Sequence, residues 1–423
     1  MAPEFNRTYL KNGVTVVTER HPHTNAVCCA FYVNVGTRDE PQDMIGASHY
    51  VEHLVFKGTK NYSCFDIASS LEAVGGEINA YTTREYTCYH TTSLKEDLSL
   101  SIDVLGELVK DASFKKVDFE KERQVILQEI EMAKDQHEEY VFDVFFEKAF
   151  HGSQLGRPIL GTEESLKKMT LANLKNYYKS RYSSEHIIVS VAGDVDHDQV
   201  VKLVEKKLAK LAVSPRLLKR KKPNFHPFIE AENRNSEQTH IIIGLPVASF
   251  SDPYRFEAYM LNAILGGGMT SRLYQRIREK HGWVYSIYSY LHSYTDAGLF
   301  MLYAATSNDL FKKVYKALYE ELKRIKQKGL SQREINYFKK QVIGQLVIGS
   351  EDVENRMNSI ALNEMVFKKY RPLDLVLDEI RAVDKQSMKE FIANHLDLNK
   401  LGVMVLGDLD PNKTKTWLHE FHR

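Results

Sequence analysis

Apolar residues along this chain occur as unbroken short runs, as alternations and at helical spacing, and each pattern predicts a different element. The run Ala26 to Val33 is continuously apolar and reads as a buried strand. Just upstream, Leu10-Lys11-Asn12-Gly13-Val14-Thr15-Val16 reads as a hairpin. Ile45, Val51, Leu54, Val55 and Phe56 then form the apolar stripe of a core-facing helix, bracketed by Gly46 and Gly58, with Gly58 as its C-terminal stop. After Gly75-Gly76, residues Glu77 to Thr82 alternate as a strand with a usable edge does. From Lys116 to Glu139, Val117, Phe119, Val125, Ile126, Ile130 and Met132 sit among charges and predict one long helix.

The second half repeats the order of the first. Thr239 to Leu245 reads as a strand, Tyr254 to Leu265 as a helix, and glycines follow. Late strands, Ile187 to Ala192 and Gly402 to Leu406, run into Gly193-Asp194 and Gly407-Asp408 respectively. This echo marks a duplication. The expected division is an N-terminal domain over 1–212, a linker over 213–235 and a homologous C-terminal domain over 236–423. In the linker, the basic run Lys219-Arg220-Lys221-Lys222, near Pro215 and Pro223, reads as solvated.

Chemistry concentrates on the first predicted helix. His49 and His53, four apart, project from one helix face and can bind one zinc ion. Glu52 lies on the same side as a candidate general base, so His49-Tyr50-Val51-Glu52-His53 is the inverted form of the common zinc-hydrolase signature. Histidines and glutamates on helix surfaces are ordinarily just solvated, so a third ligand is needed. Glu122 and Glu129 stand seven apart on one face of the long helix. The assignment is Glu129 as third ligand, with Glu122 as the acceptor that orients an imidazole. The counterpart helix in the second half has no such pattern, so only the first half is expected to bind metal. The glycines at Gly266-Gly267-Gly268 fit no phosphate loop, since no Gly-Lys-Ser/Thr follows.

Gly36-Thr37-Arg38-Asp39-Glu40-Pro41, the His49–His53 motif and Phe56-Lys57-Gly58-Thr59 together resemble the M16 (pitrilysin) family of metallopeptidases. The likeness is to the M16B branch, which contains the mitochondrial processing peptidase and its bacterial homologues. The family's third ligand is a Glu about 75 residues beyond the second His, and 75 residues separate His53 from Glu129 here. Glu122 fills the family's further Glu seven positions earlier. The resemblance implies that the strand through Asn79 and Ala80 binds substrate backbone. It also implies that Arg278 and Tyr285, seven apart in the C-terminal half, reach the active site as carbonyl-holding and oxyanion-stabilising groups. Trp283 and Val284 depart from the pattern, standing where the family more often has smaller residues.

The implied fold class is α+β: two homologous α/β sandwich domains of mostly antiparallel sheet with helices, arranged as a clamshell. The implied activity is zinc-dependent endopeptidase cleavage of short or unfolded peptides in an enclosed chamber, with one Zn2+ per chain and a homodimeric assembly. The alternatives are a non-catalytic M16-type scaffold subunit, or a presequence-processing peptidase that needs a partner subunit.

Composition narrows this further. At 423 residues the chain can build more than one core. Its 57 basic and 56 acidic residues argue against a protein held to nucleic acid through phosphate contacts. Cys28, Cys29, Cys64 and Cys88 form no Cys-x-x-Cys and read as free thiols of a reducing compartment. No apolar signal core precedes Arg20, and no apolar run spans a bilayer, so a cytoplasmic location is expected, with a processed organellar protein as the alternative.

Overall fold

The computed structural model describes residues 4–213 and 219–422; Pro215, part of the expected linker, lies outside them. The chain forms two compact units that interleave along the sequence. The first takes residues 4–131, 157–213, 219–221 and 348–371, and the second takes 132–156, 222–347 and 372–422.

In the first unit, β1 (Glu4–Tyr9), β2 (Thr15–Arg20), β3 (Ala26–Val33), β4 (Glu77–Thr82), β5 (Thr87–Leu94) and β6 (Ile187–Gly193) make one sheet in the order β1-β2-β6-β3-β5-β4. Only β2 and β6 pair in parallel. The apolar run of β3 is buried on both sides. Val27, Cys29, Phe31 and Val33 face the main core, whereas Cys28, Ala30 and Tyr32 pack against Val353, Met357, Ile360 and Ala361. Those four belong to the helix Val353–Phe367, late in the sequence. A strand covered on both faces cannot alternate, which is why β3 reads as continuous.

The second unit repeats the plan. β7 (Phe228–Asn233), β8 (Gln238–Val247), β9 (Val284–Ser293), β10 (Gly298–Ser307) and β11 (Gly402–Gly407) lie in the order β7-β11-β8-β10-β9, with β7 and β11 parallel and every other pair antiparallel. This matches β2-β6-β3-β5-β4 strand for strand, and β9 is the edge-strand counterpart of β4. Here too a helix from the other half of the sequence covers one face: Val141, Phe145, Phe146 and Ala149 of His137–Ala149 pack on Ile242, Leu299, Met301 and Met404.

Three details differ from the expectations. The single helix anticipated over 116–139 is two helices, Lys116–Asp135 and His137–Ala149, with Gln136 extended between them. Only part of its apolar set is buried: Phe119, Ile126 and Ile130 enter the core, while Val117, Val125 and Met132 are exposed. The basic run is not wholly solvated either. Arg220 donates to Asp39 at 2.7 Å and 3.0 Å, and the Lys221 carbonyl accepts from buried Arg38 at 2.8 Å. The segment expected as linker also contains β7. Among the described residues, no helix is long and apolar enough to cross a membrane.

The helix Val353–Phe367 is locked to its sheet by charge. Arg356 donates to both oxygens of Glu19 at 2.6 Å and 2.7 Å, and Tyr370 and His21 reach the same carboxylate at 2.9 Å and 2.8 Å. Burial raises the Glu19 carboxyl, but the bonds from His21, Arg356 and Tyr370 outweigh it and bring it down to about 2. Replacing Glu19 with Gln strands Arg356 and should cost about 3 kcal/mol of the first unit's stability in urea unfolding at pH 7. Because the folded-state value lies below the unfolded one, this contribution is complete above about pH 4.5 and fades as pH falls toward 2. The gap between wild type and E19Q should therefore close over that window; a gap that stays constant contradicts the assignment.

Candidate metal centre

The helix Ala47–Val55 carries three of the chemical groups, and its orientation is fixed from both sides. One arc, through Ala47, Tyr50, Val51 and Leu54, is buried in the first unit's main core. The opposite arc presents His49, Glu52 and His53. At the N-terminus, Gly46 adopts φ +93°, a conformation that favours glycine, and lies against Gly161, whose Cα a side chain at Gly46 would meet at 2.8 Å. Buried Glu40 caps this end, accepting from Gly46 N–H at 2.8 Å and Ser48 N–H at 2.7 Å. Burial pushes the Glu40 carboxyl up to about 8, against the downward pull of those two N–H groups.

Glu129, on the helix Lys116–Asp135, faces both imidazoles. Its Oε2 lies 3.8 Å from His49 Nε2 and 3.5 Å from His53 Nε2. The ligand atoms of all three residues fall within 4.8 Å of one another. Around a tetrahedral zinc with bonds of roughly 2.0–2.1 Å, neighbouring ligand atoms sit about 3.3–3.4 Å apart, so the set closes on such an ion with small adjustments. The donor chemistry fits as well: two imidazoles and one carboxylate leave a fourth position for water or substrate.

The surroundings tune the donors. Glu122, nearly buried one turn pair before Glu129, accepts from His53 Nδ1 at 3.0 Å and from Lys57 Nζ at 2.9 Å. With Nδ1–H donating to a carboxylate, the lone pair of His53 Nε2 points to the metal position. Burial, with His53 beside it, depresses His49 to about 3, so its imidazole is neutral at physiological pH and free to ligate. Its Nδ1 is buried without a hydrogen-bond partner among the described residues, so His49, unlike His53, depends on the helix backbone for its aim. Burial also raises Glu52 above the ordinary carboxylate range, and the Thr82 hydroxyl, which donates to Glu52 Oε2, draws it partly back.

β4 lies at the free edge of its sheet and contacts the metal helix. Asn79 is exposed, and its Oδ1 accepts from the Ala80 N–H at 2.8 Å. Arg278 and Tyr285 belong to the second unit. Arg278 is exposed on the π-helical segment Tyr274–Glu279, 5.2 Å above the Tyr274 ring, and Tyr285 is 59% exposed on the edge strand β9. Thus His49, His53, Glu129, Glu122 and Glu52 form one cluster. Sequence reasoning did not single out Glu40, Lys57 or Thr82. Thr82 was detectable, two residues beyond Ala80 on the same face of a strand.

Two imidazoles and a carboxylate converging on one point, beside a half-buried glutamate, make a candidate metal centre with the donor set of the inverted zinc-binding motif. Comparison with known proteins agrees. Residues 15–163 match the model for insulinase (peptidase family M16), and residues 168–342 match that for the peptidase M16 inactive domain. The chain belongs to peptidase family M16. An uncharacterized zinc protease of Streptomyces coelicolor is 36% identical, covering 98% of this chain and 92% of the relative, and one of Bacillus subtilis is 32% identical, covering 90% and 93%. In fold, the chain is similar to a protease from Helicobacter pylori, with TM-score 0.90 at 20% identity over 96% of this chain and 99% of the other.

Removing the charge of the acceptor behind His53 gives a direct check. Glu122→Gln should weaken zinc binding roughly 10- to 100-fold, read by competition with a chromophoric chelator, while the fold is retained. Unchanged affinity would remove Glu122 from the site.

Proposed function

We propose that this protein is a zinc-dependent endopeptidase that cleaves short or unfolded peptides. The observation that carries the reading is the convergence of His49, His53 and Glu129, with Glu52 on the same helix face. His49, His53 and Glu129 would hold the ion, which would supply Lewis-acid polarisation when bound. Glu52, with one oxygen held by Thr82, takes the proton of the attacking water on its other oxygen and later delivers it to the leaving amine. An extended peptide adds to the free edge of β4 through backbone hydrogen bonds, with Asn79 and Ala80 aligning it. To pair there, the peptide displaces the Asn79 side chain from the Ala80 N–H.

The finer parts of the proposal rest on the family resemblance. By that resemblance Tyr285 donates to the developing oxyanion and Arg278 holds a substrate carbonyl. The branch is M16B, the working form is a cytoplasmic homodimer, and each chain binds one zinc ion.

Glu52→Gln tests the chemistry. The variant should bind zinc with wild-type stoichiometry and lose peptide hydrolysis by about 10²- to 10⁴-fold, the usual contribution of a positioned acid–base group. Zinc-loaded E52Q that cleaves a fluorogenic peptide at the wild-type rate would sink the role given to Glu52.

A further inference from the structure

Resting on the reading of Glu52 as general base, we infer that Thr82 is a positioning residue, through which the strand that receives the peptide also aims the base. The alternation of β4 sets which way Thr82 faces. Ile78 and Ala80 pack against the main core, while Tyr81 joins the cluster on the opposite face of the sheet. Thr82 therefore falls on the Ile78–Ala80 side, toward the helix Ala47–Val55, and its hydroxyl donates to Glu52 Oε2. That bond uses the only proton the hydroxyl has, leaving the second carboxylate oxygen for chemistry.

Thr82 ends β4, and the turn behind it is clamped. The Thr83 N–H donates to the Tyr86 carbonyl at 2.8 Å, as does the Thr83 hydroxyl, which in turn accepts from the Tyr86 N–H at 3.0 Å, and the Thr37 and Arg38 N–H groups bond the Thr83 and Arg84 carbonyls at 3.2 Å and 2.9 Å. Gly36 sits so close that a Cβ there would come within 2.5 Å of the Thr83 carbonyl oxygen. Buried Arg38 closes the clamp on Glu85 at 2.6 Å. A β-branched side chain on so fixed a backbone has few rotamers, so its hydroxyl is a stationary donor. Glu52, with three side-chain torsions, has no comparable restraint of its own. Along one strand, then, Asn79 and Ala80 stand at the peptide-binding edge and Thr82 holds the base.

The test compares Thr82→Val, which keeps the shape and removes the hydroxyl, with Thr82→Ser, which keeps the hydroxyl, using the zinc-loaded full chain and a fluorogenic peptide. The expectation is a roughly 10- to 100-fold fall in kcat for T82V, with KM within about twofold and zinc stoichiometry unchanged, and near wild-type kcat for T82S. The inference is overturned by any of three results: T82V turning over like wild type, a rise in KM alone, or equal losses in T82V and T82S. Should T82V fail to fold, Thr82→Ala replaces it against T82S. The E52Q variant separates the two levels. If E52Q is active, the reading of Glu52 has failed; if E52Q is inactive and T82V is not impaired, only the role of Thr82 has failed.

Discussion

Two imidazoles meet at one point only if the helix that bears them cannot roll about its axis. That constraint governs the first unit. Tyr50, Val51 and Leu54 are fully buried on one side of the helix Ala47–Val55, each stabilised by about 1.5–3 kcal/mol relative to exposure. Rolling the helix to hide His49 and Glu52 would expose them. The Glu40 cap and the contact of Gly46 with Gly161 fix the position along the axis as well. With the helix held, Glu129 can face both rings and Glu122 can hold one of them. Among the described residues, the hydrogen bond that Glu52 receives from beyond its helix comes from β4.

The two units show what a duplicated plan conserves and what it frees. Five strands recur in the same order and with the same single parallel pair, so hydrogen-bonding topology is the invariant. Each sheet is apolar on both faces, and each obtains its second cover from a helix encoded in the other half: Val353–Phe367 for the first, His137–Ala149 for the second. The fastenings differ. A buried Glu19–Arg356 pair holds the former, and Phe145 stacked over Gly244 and Gly402 holds the latter, where no side chain could fit beneath the ring.

Much of the metal centre was legible because its geometry is local. A four-residue spacing on a helix places His49 and His53 together whatever the rest of the fold does, and a seven-residue spacing does the same for Glu122 and Glu129. The strands were legible where one or both faces are buried, as with β3 and β8. What escaped depended on tertiary partners. Nothing in the periodicity of 116–139 reveals the break at Gln136, because both sides favour helix and the extended residue only redirects the chain. The basic run looked solvated because the Asp39 and Glu85 that receive Arg220 lie more than a hundred residues away. The alternation of β4 puts Thr82 on the Ala80 side of the strand, but that its hydroxyl meets Glu52 is known only once the helix opposite is in place.

The proposed chemistry requires a zinc ion held by His49, His53 and Glu129. X-ray absorption at the zinc edge of the loaded protein reads that shell directly. Two imidazoles, with their multiple-scattering signature, plus oxygen ligands at roughly 2.0–2.2 Å and no sulfur is the predicted result. A sulfur shell near about 2.3 Å, or a zinc surrounded only by oxygen, would contradict it.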